Sequence, residues 1–104
     1  MPRISDVFQV HETGKLTSIS VNPDGVTDYA RFEQCCGELM PMLEKVGCRT
    51  VRFDVDGIPF MASGVIGLLV SFGKRGTKVQ MHNPSPHVRD VLHTTKLDKI
   101  IEVI

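Results

Sequence analysis

The sequence predicts one α/β domain spanning residues 1–104, with a mixed sheet of about five strands and three helices on one face. Segments of alternating and of helical hydrophobic periodicity follow one another, and 104 residues hold a single domain. Their order is β-β-α-β-α-β-α-β, which predicts mainly parallel pairing with right-handed crossovers. The strands at 50–55 and 78–82 alternate apolar with polar residues. One sheet face therefore stays in water, and the helices cover only the other.

The chain opens on a predicted hairpin. Val7, Phe8 and Val10 precede a polar, glycine-containing turn at 12–15, and a second β-prone run follows at 16–21. The turn residues at 22–25 then end the second strand.

The first helix is predicted from an apolar stripe whose members step by three or four residues. The stripe comprises Tyr29, Phe32, Cys36, Leu39, Leu43 and Val46. Thr27 or Asp28 is suited to the N-cap, and Gly47 to the position after the last helical residue. Pro41 interrupts the pattern, but the stripe continues in phase beyond it, so we expect a kink and not a new helix.

Two more helices and a last strand complete the predicted fold. Residues 63–72 are apolar nearly all round, and Gly73 or Gly76 ends that helix. Ser85 and Pro86 have the residue types of an N-cap and a first helical position. The buried stripe of this third helix is Val88, Val91, Leu92 and Thr95. The last strand is expected at 100–104.

Composition and charge exclude several classes of function. Lys and Arg number 12, as do Asp and Glu, so there is no basic excess to bind nucleic acid. The longest apolar run, at 65–70, is far too short to cross a bilayer, so we expect no membrane insertion. The first six residues lack the apolar stretch of a signal peptide, and three cysteines suit a reducing compartment. We therefore expect a cytoplasmic protein.

No catalytic, metal or cofactor site emerges from the residue spacing. No two histidines have the i, i+4 spacing of a helical metal site, and no Cys–His pairing is suggested. Asp54 and Asp56 follow one strand and are most simply a charged edge. The segment at 73–78 has the residues of a phosphate loop, but its glycines follow a helix instead of preceding one. We expect a protein that is not an enzyme and binds no cofactor.

Ser63 stands where a loop becomes the second helix. Its hydroxyl suits a plain N-cap. The same place favours a phosphate, because free amides and the helix dipole attract anions there. Spacing alone leaves both interpretations open.

The residues around Ser63 resemble a known family signature. The block at 60–69, Phe-Met-Ala-Ser-Gly-Val-Ile-Gly-Leu-Leu, is similar to the signature of STAS domains, which include the bacterial anti-sigma factor antagonists. The strand and helix start at 79–92 and the ending at 97–101 also resemble that family. The resemblance covers residues 7–104.

The resemblance implies a regulatory protein that binds a serine-kinase anti-sigma factor and is switched by phosphorylation at Ser63. Gly67 falls on the glycine within the family's helix. Ala62 stands where the family often has aspartate, and Gly64 where it often has a small residue or serine. The alternative, which Ala62 favours, is a constitutive, unphosphorylated module in a transport or stress-signalling complex. The family's C-terminal helix is not found before Ile104, and an exposed sheet edge or first helix would then favour a homodimer.

The helix after Ser63 carries more apolar surface than one sheet face covers. One stripe, with Ile66, Leu69 and Val70, is assigned to the core. A second stripe, with Val65, Leu68 and Phe72, is displaced around the helix and expected to be partly open to solvent, unless the first and third helices bury it. The partner surface predicted on this basis consists of Ala62, Ser63, Gly64, Val65, Gly67, Leu68 and Phe72.

Overall fold

The computed structural model describes residues 4–104, except for the side chains at positions 74 and 75. The helices and strands are β1 (Phe8–Glu12), β2 (Leu16–Val21), α1 (Tyr29–Lys45), β3 (Thr50–Asp54), α2 (Ser63–Ser71), β4 (Lys78–His82), α3 (Pro86–Thr94) and β5 (Ile101–Val103). Short 3₁₀ turns lie at Ile4–Asp6, Pro23–Thr27, Phe72–Arg75 and Leu97–Lys99.

The five strands form one mixed sheet in the order β1-β2-β3-β4-β5. β1 pairs antiparallel with β2, and every later pair is parallel, with Phe53 level with Ile19 on one side and Met81 on the other. Each connection between parallel strands crosses over with the same hand and leads to the next strand in the same direction along the sheet. The helices in these connections, α1, α2 and α3, therefore lie on the same face. The predicted fold class is confirmed.

Phenylalanine rings join the layers of the core. Phe8 of β1 packs on Phe32 of α1 and on Phe53 of β3, with ring centroids 5.3 Å and 5.9 Å apart. Phe72, in the turn after α2, lies 5.3 Å from Phe53. Aromatic pairs of this kind contribute about 0.5–1.5 kcal/mol each beyond the area that they bury. The chain of rings therefore fixes α1 and the end of α2 over the sheet.

The other sheet face is open and carries a chain of polar contacts. Arg52 Nε donates to Gln80 Oε1 at 3.1 Å, and Gln80 Nε2 donates to Glu102 Oε1 at 2.8 Å. Lys78 pairs with Glu102 at 2.9 Å, and the hydrogen bond that it donates lowers the pKa of that carboxyl. These side chains satisfy one another across three parallel strands, which suits a face exposed to water.

The element ends confirm one detail of the sequence prediction, the single first helix, and correct two others. α1 includes Pro41 and remains one helix, capped at its start by Asp28, whose carboxylate accepts from Arg31 N–H. β5 is shorter than predicted, because Leu97–Lys99 forms a 3₁₀ turn and Ile100 keeps a helical conformation. Thr95 is exposed and lies outside the buried face of α3, since it is the C-cap residue.

Candidate functional site

Ser63 is the first residue of α2, and it is not the N-cap. The N-cap is Ala62, whose extended backbone (φ −62°, ψ 148°) ends the loop, and its carbonyl accepts from the amides of Val65 and Ile66. An N-cap needs non-helical dihedrals, and Ser63 is already helical. The predicted capping role of Ser63 is therefore wrong. Its side chain is exposed, and its hydroxyl has no hydrogen-bond partner among the described residues.

The start of α2 has no side-chain cap, because alanine offers no acceptor. Within the described residues, the amides of Ser63 and Gly64 have no main-chain partner. Unpaired amides at a helix N-terminus carry partial positive charge, and phosphate groups are stabilised there. A phosphate on Ser63 would meet a favourable electrostatic environment within its own chain.

Tyr29 lies over Gly64, immediately beside Ser63. A Cβ atom at position 64 would come within 3.0 Å of Tyr29 Cε2, so the ring occupies the space where a side chain would begin. The apolar stripe of α1 predicts Tyr29 in the core, but it is 49% exposed. The prediction is wrong at this end of the stripe, because the Tyr29 ring rests on Gly64 at the start of α2 and stays half exposed to water.

The outward face of α2 is almost bare backbone. Gly64 and Gly67 are both exposed, and among the described residues a Cβ at Gly67 would meet nothing within 4 Å outside its chain neighbours and the helix's own backbone. Leu68 is half-buried and packs against the edge of the core. Another backbone can approach this face closely.

Two residues of the predicted partner surface are in the core. Val65 is 1% and Phe72 2% exposed, so the expectation that they are partly open to solvent is wrong. Phe72 turns onto Phe53 through the 3₁₀ turn that follows α2. The second apolar stripe is thus covered from within the domain at Val65 and Phe72, and Leu68 between them is half-buried.

Phe60 is a second exposed ring near Ser63, three residues earlier in the chain. It is 61% exposed, and its ring lies 4.9 Å from that of His87 at the start of α3. Ser85 Oγ, whose oxygen also caps α3 by accepting from Val88 N–H, donates to the Pro59 carbonyl at 2.9 Å. These contacts tie the loop before α2 to the loop before α3. The sequence gives no periodic signal for Phe60, since it lies in a loop.

We call the exposed group at the start of α2 the Ser63 surface. It comprises Tyr29, Phe60, Ala62, Ser63, Gly64 and Gly67, with Leu68 at its border. A hydroxyl, open helix backbone and two exposed aromatic rings occur together there. Exposed aromatic side chains are the residues that most often anchor protein interfaces.

The family model for the STAS domain matches residues 8–104. The chain belongs to the STAS domain family. No curated protein sequence matches it significantly. The fold of this STAS domain is similar to those of three solved structures, described next.

One is the anti-sigma factor antagonist SpoIIAA in its unphosphorylated form, with a TM-score of 0.73 and 22% identity over 93% of this chain and 87% of that one. The Bacillus cell fate determinant SpoIIAA in its phosphorylated form has a TM-score of 0.69 and 20% identity over 93% and 90%. The protein TM1081 has a TM-score of 0.76 and 16% identity over 93% and 79%. At these identities, the likeness establishes the fold.

The remaining candidate residues of the STAS domain are held in local contacts. Asp54 lies 3.4 Å from His82, and Asp56 Oδ1 accepts from Asn83 Nδ2 at 2.7 Å. His82 and His87, which both flank the start of α3, have different partners, because His87 packs on Phe60.

Over the residues that the structure describes, no group of three or more His, Cys, Asp or Glu side chains is arranged to hold a metal ion. No helix in this part of the chain is long and apolar enough to cross a membrane.

The adjacent cysteines of α1 are unsuited to thiolate chemistry. Cys35 and Cys36 are both buried in the core. Burial, with smaller effects from Cys35 and Glu33, raises the pKa of Cys36 to about 12. A thiol with this pKa stays protonated near neutral pH, and the protonated form is a poor nucleophile.

Proposed function

We propose that this STAS domain is a cytoplasmic, non-enzymatic regulator that binds a serine-kinase anti-sigma factor through the Ser63 surface and is switched by phosphorylation of Ser63. The observation that carries the proposal is the unbonded, exposed hydroxyl of Ser63 at the first residue of α2, beside open helix backbone. A kinase can reach this hydroxyl without breaking a hydrogen bond of the fold.

The proposed switch is electrostatic. Phosphorylation adds about −1.5 to −2 charges at neutral pH. The unpaired amides at the start of α2 stabilise this charge in the free domain, so the fold is retained. In the complex, a partner covering Tyr29 and Phe60 would remove water from the phosphate. That desolvation and the partner's own acidic groups disfavour the complex, and the kinase is released to bind its sigma factor.

The other hydroxyls near this surface are poorer acceptors. Ser85 accepts from Val88 N–H and donates to Pro59 O, so modifying it would break the cap of α3. Ser71 is half-buried at the end of α2, and its hydroxyl donates to the Leu68 carbonyl. Ser63 has neither constraint.

One observation favours a second candidate function, a constitutive STAS module in a transport or stress-signalling complex. Ala62 places no carboxylate beside the Ser63 hydroxyl, whereas the family often has aspartate there. On this alternative the Ser63 surface still binds a partner, but its affinity is not regulated by phosphate.

Phosphate mapping separates the two functions. The chain and its Ser63→Ala variant are incubated with the partner kinase and ATP. The intact mass of each is then measured, and peptide mapping locates any phosphate. Regulation by phosphorylation predicts one phosphate, on Ser63, and none on the variant. Phosphate on Ser85 with Ser63 unmodified would refute the proposed acceptor. The constitutive module would be supported if the kinase binds the chain and phosphorylates another substrate but leaves the chain unmodified.

A further inference from the structure

A groove of about 430 Å³ lies beside the Ser63 surface and does not include Ser63. It is lined by residues 56–59 of the β3–α2 loop and 83–86 of the β4–α3 loop. It therefore opens at the carboxyl ends of two neighbouring parallel strands, the usual place for ligands in α/β sheets. Neither the family match nor the proposed role of Ser63 assigns anything to it.

Few hydrogen-bond donors in the groove are available to a ligand. Pro59, Pro84 and Pro86 have no amide hydrogen. The amides of Asp56 and Ile58 donate to Asp54 Oδ1 and Val55 O at 3.0 Å and 3.1 Å.

The polar side chains on the α3 side of the groove already donate to other groups of the chain. The Asn83 side chain donates to Asp56 Oδ1 at 2.7 Å, and its amide donates to Ile104 O. The Ser85 hydroxyl donates to Pro59 O. Within the described residues, the amides of Gly57 and Ser85 and one hydrogen of the Asn83 side chain remain without a partner, so an anion would find few donors.

Acceptors are available, and one of them is charged. The second carboxylate oxygen of Asp56 has no hydrogen-bond partner among the described residues, and the residue is exposed. Among the residues that the structure describes, no lysine or arginine lines the groove. Arg89, at its edge, donates to the Pro84 carbonyl at 3.2 Å and makes no ion pair with Asp56 within the described part of the chain. The groove thus combines apolar proline walls with one carboxylate that makes no ion pair among the described residues.

We propose that this groove takes an arginine side chain of a protein partner. The aliphatic stem packs on the proline rings, and the guanidinium donates to the free oxygen of Asp56. Arginine fits better than lysine, because its planar fork has five donors and serves a carboxylate and neighbouring carbonyls together. This inference does not depend on phosphorylation of Ser63.

The test uses a blocked tripeptide, acetyl-Gly-Arg-Gly-amide, titrated into the ¹⁵N-labelled chain at constant ionic strength. The matched probe replaces arginine by citrulline, which has nearly the same shape and no charge. We expect saturable amide shifts at Gly57, Ile58 and Asn83, with a Kd in the millimolar range. Citrulline should bind at least five times more weakly. Equal affinities for the two peptides, or shifts that map elsewhere, would overturn the proposal.

Two variants test the role of Asp56. Asp56→Asn keeps an acceptor for Asn83 and removes only the charge, and it should reduce arginine binding to the citrulline level. Asp98→Asn removes an exposed carboxylate before β5, at the opposite ends of the parallel strands from the groove, and it should leave binding unchanged. An equal loss in both variants would show a general effect of net charge and would contradict the proposed site. An unchanged spectrum outside the groove establishes that each variant is folded.

Discussion

Replacing Gly67 by alanine should stabilise the domain. Gly67 lies in the middle of the nine-residue α2 and is exposed, and a Cβ there would meet no other part of the described structure within 4 Å beyond its own helix backbone and chain neighbours. Alanine in a helix interior is favoured over glycine by about 0.5–1 kcal/mol, because less backbone entropy is lost on folding. In a domain of this size, the gain raises the Tm by roughly 2–8 °C.

Gly64→Ala is the contrasting substitution in the same helix. A Cβ there lies 3.0 Å from Tyr29 Cε2, closer than side chains normally approach. The ring must move aside, which offsets the gain in helix propensity, so we expect no increase in Tm. Tyr29→Ala removes the obstacle, and in that background Gly64→Ala should become stabilising. The coupling between the two positions is expected at about 0.5 kcal/mol or more.

Urea unfolding, monitored by circular dichroism, measures these differences in the free energy of unfolding. The comparison requires the m-value to be the same in each variant. Gly37→Ala, at an exposed and unobstructed position of α1, is the matched control for stabilisation. A destabilising Gly67→Ala, or equal gains at positions 64 and 67, would refute the reasoning.

The same variants separate stability from binding. Gly67 belongs to the Ser63 surface and Gly37 does not, so only Gly67→Ala should weaken a partner that approaches α2 closely. Overpacking typically costs about 1–3 kcal/mol. We therefore expect Gly67→Ala to bind that partner roughly fivefold or more weakly, although this variant is more stable than the parent.

Three further predictions concern the core and the open sheet face. Phe72→Ala should lose about 3–5 kcal/mol in urea unfolding, since the ring is buried against Phe53; a loss below 1 kcal/mol would place Phe72 at the surface. The Cys36 thiol, with its pKa raised to about 12, should react with a thiol reagent only after unfolding, and fast labelling of the native chain would contradict its burial. The pKa of Glu102, measured by NMR titration, should lie below its usual value and rise in Lys78→Met. A carboxyl of this kind adds stability above its unfolded pKa, and this is lost as pH falls through the folded pKa; a Glu102 pKa unchanged by Lys78→Met would refute the pairing.

Hydrophobic periodicity was sufficient to predict the architecture. Val51 and Phe53 alternate with Arg52 and Asp54, and the structure buries the first pair and leaves the second on the open face. This pattern specifies both the strand and the single covered face, because residues two apart share a side of a strand. The strand order then follows from chain connectivity and the common hand of the crossovers.

Periodicity could not predict which part of α2 stays accessible. The argument for a solvent-exposed second stripe assumes that the sheet alone covers the helix. Val65 and Phe72 are instead buried within the core cluster, Phe72 through a 3₁₀ turn that changes its direction. Residue type likewise favoured Ser63 as the N-cap, but the backbone dihedrals begin the helix at Ser63 itself, one residue earlier than that role requires. The burial of Val65 and Phe72 and the start of α2 both depend on tertiary packing and loop geometry, which no local pattern encodes.

The central claim is that the Ser63 surface binds a serine-kinase anti-sigma factor only while Ser63 is unmodified. The most direct measurement is the Kd of that complex for the unmodified chain and for the chain fully phosphorylated at Ser63. ADP replaces ATP in the assay, so that no phosphate is transferred while binding is measured. The account predicts a Kd at least tenfold higher after phosphorylation, about 1.4 kcal/mol of lost binding free energy. It also predicts that Ser63→Ala, treated with kinase and ATP, keeps the affinity of the unmodified chain. An unchanged Kd for the phosphorylated chain would contradict the claim.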